Sequence, residues 1–428
     1  MPGAIESVGA KKNTGSNNMA ITIQSVDLHS KKDIEHFLHL PWKIYVTPGG
    51  TRDPNWVPPF LNDQRSLLHP HKNPYHQHSQ TKLFMAFNDQ KALVGRISAS
   101  VDDNFNTFWN ATVGFFGWFE CVNDPAVAQA LFQQAEQFLQ AEGMTSVRGP
   151  ASFTSNDDSF GFLAEGFDAP ARIAMTYNPP YYLALAEQSG YTKAKDLYAW
   201  YLSADIAVPE RIVKVAERAM KQHRITLRPL NRKKLGEEAK ILKELYNTIW
   251  EKNWGFVPMT DEEFTYQVKK LKAIVWPDFV VFAEVDGKAI GFNLVLPDIN
   301  QVLHKMDGEL FSFKTPFALL TFLCNVRKID DTREMAMGIH PAYRNRGLEA
   351  ILYLEALKTG KKRKIKGGEL SWTLEDNAGI NKGIEAMGGK LIKTYRIYEK
   401  KLAQGSLPST VATSASAQRD VGASYQES

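Results

Sequence analysis

Met335-Ala-Met-Gly-Ile-His-Pro-Ala-Tyr-Arg-Asn-Arg-Gly-Leu-Glu-Ala350 runs from a short apolar strand through a basic, glycine-bearing turn into a helix. Glu334 to Ile339 suits a buried strand, and Pro341 cannot continue its ladder. After the turn, Leu348, Ile351, Leu352 and Leu354 to Leu357 recur at helical spacing until Gly360, a candidate C-terminal cap. Arg344, Asn345, Arg346 and Gly347 therefore bring backbone N–H groups and positive charge to a helix N-terminus. That is the composition of an anion site.

The flanking sequence extends the pattern. Downstream, Glu369 to Thr373 reads as a strand and Leu374-Glu-Asp-Asn377 as a polar turn. Asn377 opens a helix in which Ile380, Ile384 and Met387 share a face. Gly388-Gly389 ends it, and Lys390 to Lys401 supplies a last strand with Tyr395, Ile397 and Tyr398. Upstream, Ile225 to Pro229 is a short strand, and Ile241, Leu245 and Ile249 mark the apolar face of a helix. Thr260 and Glu263 form a capping box for a second helix. Phe279 to Leu296 folds about Asp286-Gly287 as a hairpin.

This order resembles the GNAT N-acetyltransferase superfamily, whose pyrophosphate loop has Arg or Gln, two residues, Gly, one residue, then Gly or Ala. Arg344 and Gly347 match the first two fixed positions, while Glu349 stands where the third is small. The match runs from about Ile225 to Leu402. The resemblance implies acetyl-CoA or a longer acyl-CoA as co-substrate and no metal. Backbone groups of Met337, Gly338 and Ile339 would pair with the pantetheine arm. The turn Arg344, Asn345, Arg346, Gly347 and Leu348 would hold the pyrophosphate, and Asn377 would orient the thiol end. Ile384 occupies the position at which many members keep a Tyr as general acid. Glu375 is the candidate base, where the central strands splay, and Tyr395 or Tyr398 the candidate acid.

The first half echoes the second. Leu83 to Asn88 and Val94 to Val101 suggest a hairpin, Val113 to Glu120 is a buried strand, and Asp124-Pro125 opens a helix. A helix over Tyr182 to Ser189, Gly190 and a strand over Lys195 to Trp200 close it as the second half closes. The fold expected is α/β with an α+β mixed sheet: two tandem GNAT-like domains over 21–204 and 205–402, between disordered ends at 1–20 and 403–428. Cys121-Val-Asn-Asp124 lacks the loop's glycine, so the first domain is degenerate and the cofactor falls to the second.

A longer resemblance rests on Tyr45, Asp53-Pro-Asn-Trp-Val-Pro-Pro59, Asn73-Pro-Tyr75, Gly95-Arg-Ile97, Arg148-Gly-Pro150, Glu165-Gly-Phe-Asp168 and Tyr177-Asn-Pro-Pro-Tyr181. These are similar to a bacterial family of large GNAT-type proteins, some of them similar to bacterial ceramide synthases. It implies an N-acyltransferase acting on a small-molecule or lipid amine, with a long acyl chain and a sphingoid-type amine as one form. Acyl carrier protein is an alternative donor. The rival reading is a non-catalytic GNAT-fold protein that binds a ligand or partner.

The remaining features bound these readings. At 428 residues, 43% hydrophobic and 23% charged, the chain suits two ordinary soluble domains. A net charge of +4 is too small to argue for nucleic acid. Lys361-Lys-Arg-Lys-Ile-Lys366 is a basic run, read first as a solvated turn and otherwise as a surface for nucleic acid, anionic lipid or an acidic carrier. His69, His71, His76 and His78 crowd one loop without a completing Cys or carboxylate; a substrate-lining His78 is preferred to a metal site. Asn156-Asp-Asp158 is read first as a solvated turn and otherwise as a base or cation site in a cleft between the domains. Phe311 to Cys324 is apolar but too short to span a bilayer; it reads first as core packing and otherwise as a helix lining an acyl tunnel, with no transmembrane segment expected and peripheral membrane contact left open. Met1 to Asn18 has no apolar signal region, and two cysteines, Cys121 and Cys324, fit a reducing cytoplasm.

Overall fold

The computed structural model describes residues 20–153, 160–306, 308, 322 and 324–403. Asn156 to Asp158, most of Phe311 to Cys324, and both chain ends lie outside them. Thirteen strands form one sheet: β1 (Thr22–Ser25), β2 (Ser79–Phe87), β3 (Leu93–Asp102), β4 (Val113–Cys121), β5 (Ser146–Gly149), β6 (Phe162–Glu165), β7 (Thr192–Ser203), β8 (Thr226–Pro229), β9 (Val280–Val285), β10 (Lys288–Pro297), β11 (Asp331–Ile339), β12 (Gly367–Leu374) and β13 (Lys390–Lys401). The order across it is β1-β2-β3-β4-β5-β13-β7-β12-β11-β10-β9-β8, with β6 on β13.

The halves repeat one plan. In each, an antiparallel meander ends in a strand that pairs in parallel with the next: β4 with β5, and β11 with β12. Parallel pairs need a crossover, supplied by α4 (Pro125–Ala141) and α10 (Leu348–Arg363). Their inner faces carry Leu131, Phe132 and Leu139 in one half and Leu348, Ile351 and Leu352 in the other. The other helices are α1 (Lys31–Ile44), α2 (Leu61–Leu68), α3 (Asp103–Trp109), α5 (Tyr181–Gln188), α6 (Glu210–His223), α7 (Leu235–Trp250), α8 (Asp261–Leu271), α9 (Asn300–Leu303) and α11 (Ala378–Ala386). The expected caps are present: Thr260 and Glu263 bond reciprocally at α8, and the Asn377 side chain accepts from Ile380 N at α11.

The closing strands are exchanged. β7, which ends the first half, pairs with β12 of the second; β13, which ends the second, pairs with β5 of the first. β7 and β13 pair antiparallel with each other between them. Each half's sheet is thus finished by the other's last strand. The sequence shows that β7 and β13 are strands but carries no sign of their neighbours, because pairing partners are set by contacts far apart in the chain.

An unpaired strand edge invites aggregation. Residues 20–204 and 205–403 made separately are therefore expected to be insoluble or unfolded, and made together to recover a 1:1 complex, read by co-purification and circular dichroism. A lone 205–403 fragment that unfolds cooperatively would show that the exchange contributes little.

Candidate functional site

The parallel ladder between β11 and β12 runs from Asp331↔Gly367 to Glu334↔Leu370 and stops. At that level the register of β10 with β11 shifts, with Leu294 opposite Ala336 and Val295 opposite Glu334, so Met335 is the extra residue of a bulge. A bulge bends its strand. β11 swings away from β12, and the β12-facing backbone from Met335 to Ile339 lines a wedge. Met337, Gly338 and Ile339 lie along this edge, available to an extended ligand as an extra strand would be.

The turn after β11 leads directly into α10. Gly347, at φ +79°, stands at its N-cap and makes no side-chain cap bond. A Cβ on Gly347 would lie 2.7 Å from Val215 Cγ1 of α6, so both conformation and space require glycine. The N–H groups of Asn345, Arg346 and Gly347 meet no acceptor among the described residues, which leaves an open cradle at the positive end of α10. Arg344 is used differently: its guanidinium donates to Ile249 O at 2.7 Å and Ile339 O at 3.3 Å, tying the turn to the end of α7. Arg346 lies over the Tyr343 ring, 5.1 Å from its centroid. Gly338 lets α7 approach β11, since a Cβ there would meet Trp250 at 2.7 Å.

On the α7 face the wedge opens into a cavity of about 200 Å3. Leu242, Tyr246 and Trp250 of α7, Phe264 and Val268 of α8, and Met335 form much of its apolar wall. Arg333 and Trp372 contribute from the strands. Arg333 is fixed by bonds to Ser371 Oγ and Ile173 O, both 2.9 Å. On the α10 face, Glu334 is the last residue of the ladder. Burial pushes its carboxyl up to about 7 against one hydrogen bond, from Asn293 Nδ2 at 3.0 Å. Tyr353 of α10 lies within electrostatic reach of both Glu334 and Glu349, and burial with those charges keeps its hydroxyl protonated. Sequence reasoning missed Glu334, the one polar residue of the run Glu334 to Ile339; its place in a run otherwise suited to burial was the available signal.

The other site residues are dispersed. Glu375 accepts from Lys193 Nζ at 2.6 Å and Asp196 N at 3.0 Å, so it fastens the end of β12 to β7. Asn377 spends its side-chain oxygen on the cap of α11, and Ile384 packs with Trp200, Leu370 and Met387. Tyr395 is fully buried beneath the wedge, its hydroxyl unpartnered and held protonated by burial and the nearby Glu369. Tyr398 is on the opposite face of β13, in the first half's core, where its hydroxyl donates to Glu187 at 2.9 Å. His78 joins the halves: Nδ1 is 3.1 Å from Asp102 and Nε2 is 2.9 Å from Glu263. In the basic run, Arg363 pairs with Asp278 and Lys366 with Asp330. Among the described residues there is no cluster of three metal-ligating side chains, and no helix is long and apolar enough to cross a membrane.

The first half's parallel ladder also ends, at Phe115↔Arg148, with a bulge at Trp118, but its wedge is partly closed by the chain itself, Ala151 N donating to Phe116 O at 2.8 Å and Trp118 N to Ser152 Oγ at 3.3 Å. Its helix end differs. Asp124 caps α4 with its own carboxylate, Oδ1 accepting from Ala126 N at 2.8 Å.

No protein-family profile matches the chain. It is 35% identical over 380 residues to Protein YghO of Escherichia coli, covering 87% of this chain and 94% of that protein. It is 31% identical over 385 residues to the bacterial ceramide synthase of Caulobacter vibrioides, covering 88% and 97%. Among solved structures it resembles a tandem GNAT protein from the clavulanic acid biosynthesis pathway, with TM-score 0.51 and 12% identity over 90% of this chain and 99% of that one. A glucosamine N-acetyltransferase region of a fungal β-N-acetylglucosaminidase also scores 0.51, at 13% identity, covering 89% of this chain and 38% of that one.

Burial would lower the pKa of His78, but its hydrogen bonds and charge contacts with Asp102 and Glu263 outweigh it and raise the value to about 10. Stability from this contact is therefore complete below the unfolded value of about 6.5, declines as pH rises, and is gone above the folded value. The denaturation midpoints of wild type and His78→Gln are expected to converge between pH 7 and 10. A gap independent of pH would mean that the imidazole is not held charged.

Proposed function

This chain belongs to the family of the bacterial ceramide synthase and Protein YghO, with a tandem GNAT fold, and we propose that it transfers a long acyl group from acyl-CoA to an amine. An N-acyltransferase is what the family and fold support in general. The wedge beside the α10 N-terminus, opening into an apolar cavity, is the observation that favours a long acyl chain. The cradle Asn345 to Leu348, with Arg346, would take the pyrophosphate. The edge Met337 to Ile339 would take pantetheine, and Asn377 Nδ2, which has no partner among the described residues, would face its thiol end.

The ceramide synthase relative makes a sphingoid-type amine the natural candidate substrate. An ammonium must lose a proton before it attacks a thioester. We assign that proton to Glu334 rather than Glu375, because Glu375 is already neutralised by Lys193 while Glu334 lies at the apex of the wedge with its carboxyl poised near neutrality. Tyr395 remains the nearer of the two candidate acids, since Tyr398 faces the other core. Attack of the neutral amine on the thioester carbon forms the amide and releases the thiol, so catalysis is mainly positioning.

Glu349 is the feature that favours the non-catalytic reading, since a carboxylate in the first turn of α10 repels phosphate. Binding calorimetry separates the two. Palmitoyl-CoA is expected to bind tighter than acetyl-CoA, because each methylene removed from water adds about 0.8 kcal/mol. Ala239→Trp, which fills the cavity, should shift preference to shorter chains. No affinity for any acyl-CoA, with or without Glu349→Gly, would end the transferase reading.

Glu334 acts only when ionised, so the rate is expected to rise with pH through about 7. Glu334→Gln should lower kcat by about 100- to 10,000-fold and abolish that limb. Glu375→Gln should leave the limb in place. The reverse pattern would return the base to Glu375.

A further inference from the structure

The cavity at the second wedge takes only the first part of a long acyl chain. An apolar protein cavity of about 150 Å3 holds a six-carbon ring, so one of about 200 Å3 holds roughly eight carbons. A second cavity, of about 280 Å3, lies between the halves and shares Ala174, Met175, Thr176 and Leu271 with the first. On the same scale the two together hold roughly nineteen carbons, enough for a long-chain acyl group.

The walls of the second chamber suit hydrocarbon. Leu271, Ile274, Leu296, Ile299 and Leu303 line it from the second half, and Trp56 and Trp118 from the first. Two charged side chains that also line it, Arg96 and Glu120, are spent on the first half itself. Arg96 is 6% exposed, donates to Phe37 O at 2.5 Å, and stacks on the Phe37 and Trp118 rings at 4.8 and 5.6 Å from their centroids. Glu120 accepts from Tyr45 at 3.1 Å and from Tyr182 at 2.7 Å. What these groups leave for an occupant is apolar contact.

The wall between the chambers joins a fixed backbone to adjustable side chains. Arg333 donates to Ile173 O at 2.9 Å and Ala174 O at 3.1 Å, and Ile173 N donates to Asp298 at 2.9 Å. Ala174 stands at φ +57°, a left-handed conformation that an alanine keeps only where its surroundings fix it. Met175, by contrast, is half-buried, and its unbranched thioether changes rotamer at little cost. Met175 and Leu271 each line both chambers.

We infer that the chamber between the halves is the binding site for the distal half of the acyl chain, which enters it past Met175 and Leu271. The inference rests on the acyl-transfer reading of the second wedge and adds where the chain ends. The proximal carbons lie in the cavity beside α7 and α8, and the side chains of Met175 and Leu271 turn aside while the backbone of the wall stays in place. The first half, which has no anion cradle of its own, thereby supplies part of the donor's site and helps to set the acyl length.

Octanoyl-CoA and palmitoyl-CoA, titrated calorimetrically into the full chain, separate the two chambers. Ile299 and Leu303 line the second chamber and not the first. Ile299→Trp is expected to weaken palmitoyl-CoA binding by at least about tenfold, since each methylene kept in water forfeits about fourfold, and to leave octanoyl-CoA unchanged. Leu303→Trp asks the same question if Ile299→Trp fails to fold. In wild type, a palmitoyl-CoA carrying a diazirine at its terminal carbon should label, on irradiation, the peptide that contains Ile299 and Leu303. Palmitoyl-CoA affinity untouched by the folded variants, equal losses for both thioesters, or labelling confined to α7 would overturn the inference and leave the acyl-transfer reading intact. A wild type that binds neither thioester would sink that reading itself, which is a separate result.

Discussion

The parting of β11 from β12 beyond Glu334↔Leu370 is the constraint on which the rest of the structure turns. A parallel pair that stops halfway leaves backbone donors and acceptors facing a gap, and such groups cannot remain buried and unsatisfied. The gap must therefore be hydrated or filled by a ligand that pairs as a strand would. The Met335 bulge creates the parting, Gly338 admits the end of α7 against the diverging strand, and Arg344 clamps the following turn to that same helix end. Cavity and open edge are consequences of one bend.

Because β12 leaves β11, its outer edge needs firm support, and that support is β7. The Lys193–Glu375 and Lys195–Asp376 pairs fasten the tip of β12 to β7, while Arg333, from the middle of β11, reaches Ile173 O in the first half. The second wedge is thus held open partly by residues of the first half. Two stacked domains joined by a linker would leave each wedge to its own strands. Exchange of the closing strands couples the wedges through β7 and β13, which lie side by side between them.

Much of this was legible in the sequence because it is local. The glycine-bearing turn before α10, the Thr260–Glu263 box, the Asp286-Gly287 hairpin and the Asn377 cap each declare themselves within a few residues. The same holds for the opposite faces of Tyr395 and Tyr398, which are three residues apart in a strand and cannot look the same way. What was not legible is non-local. Nothing in Thr192 to Ser203 marks β12 as its neighbour, nothing around His78 marks Glu263 as its partner, and the chemistry of Glu375 changes once Lys193 is beside it. Glu334 was hidden for another reason: the run Glu334 to Ile339 reads as buried, whereas Glu334 to Met337 are only half-buried, because the ladder with β12 ends at Glu334 and leaves that edge open.

The unequal halves have a simple physical origin in how their crossover helices begin. A helix N-terminus carries free donors and a partial positive charge, and something negative settles there. In α4 the chain supplies it, since Asp124 reaches Ala126 N and closes the end with its own carboxylate. In α10 the same position is Gly347, which has no side chain to offer, and the turn before it leaves its N–H groups open. An anion at α10 completes a cap, whereas an anion at α4 must displace one and face Asp124 as well. The two crossover helices thus differ at one residue of the N-cap: the end of α4 is closed by a carboxylate of the chain and the end of α10 is not.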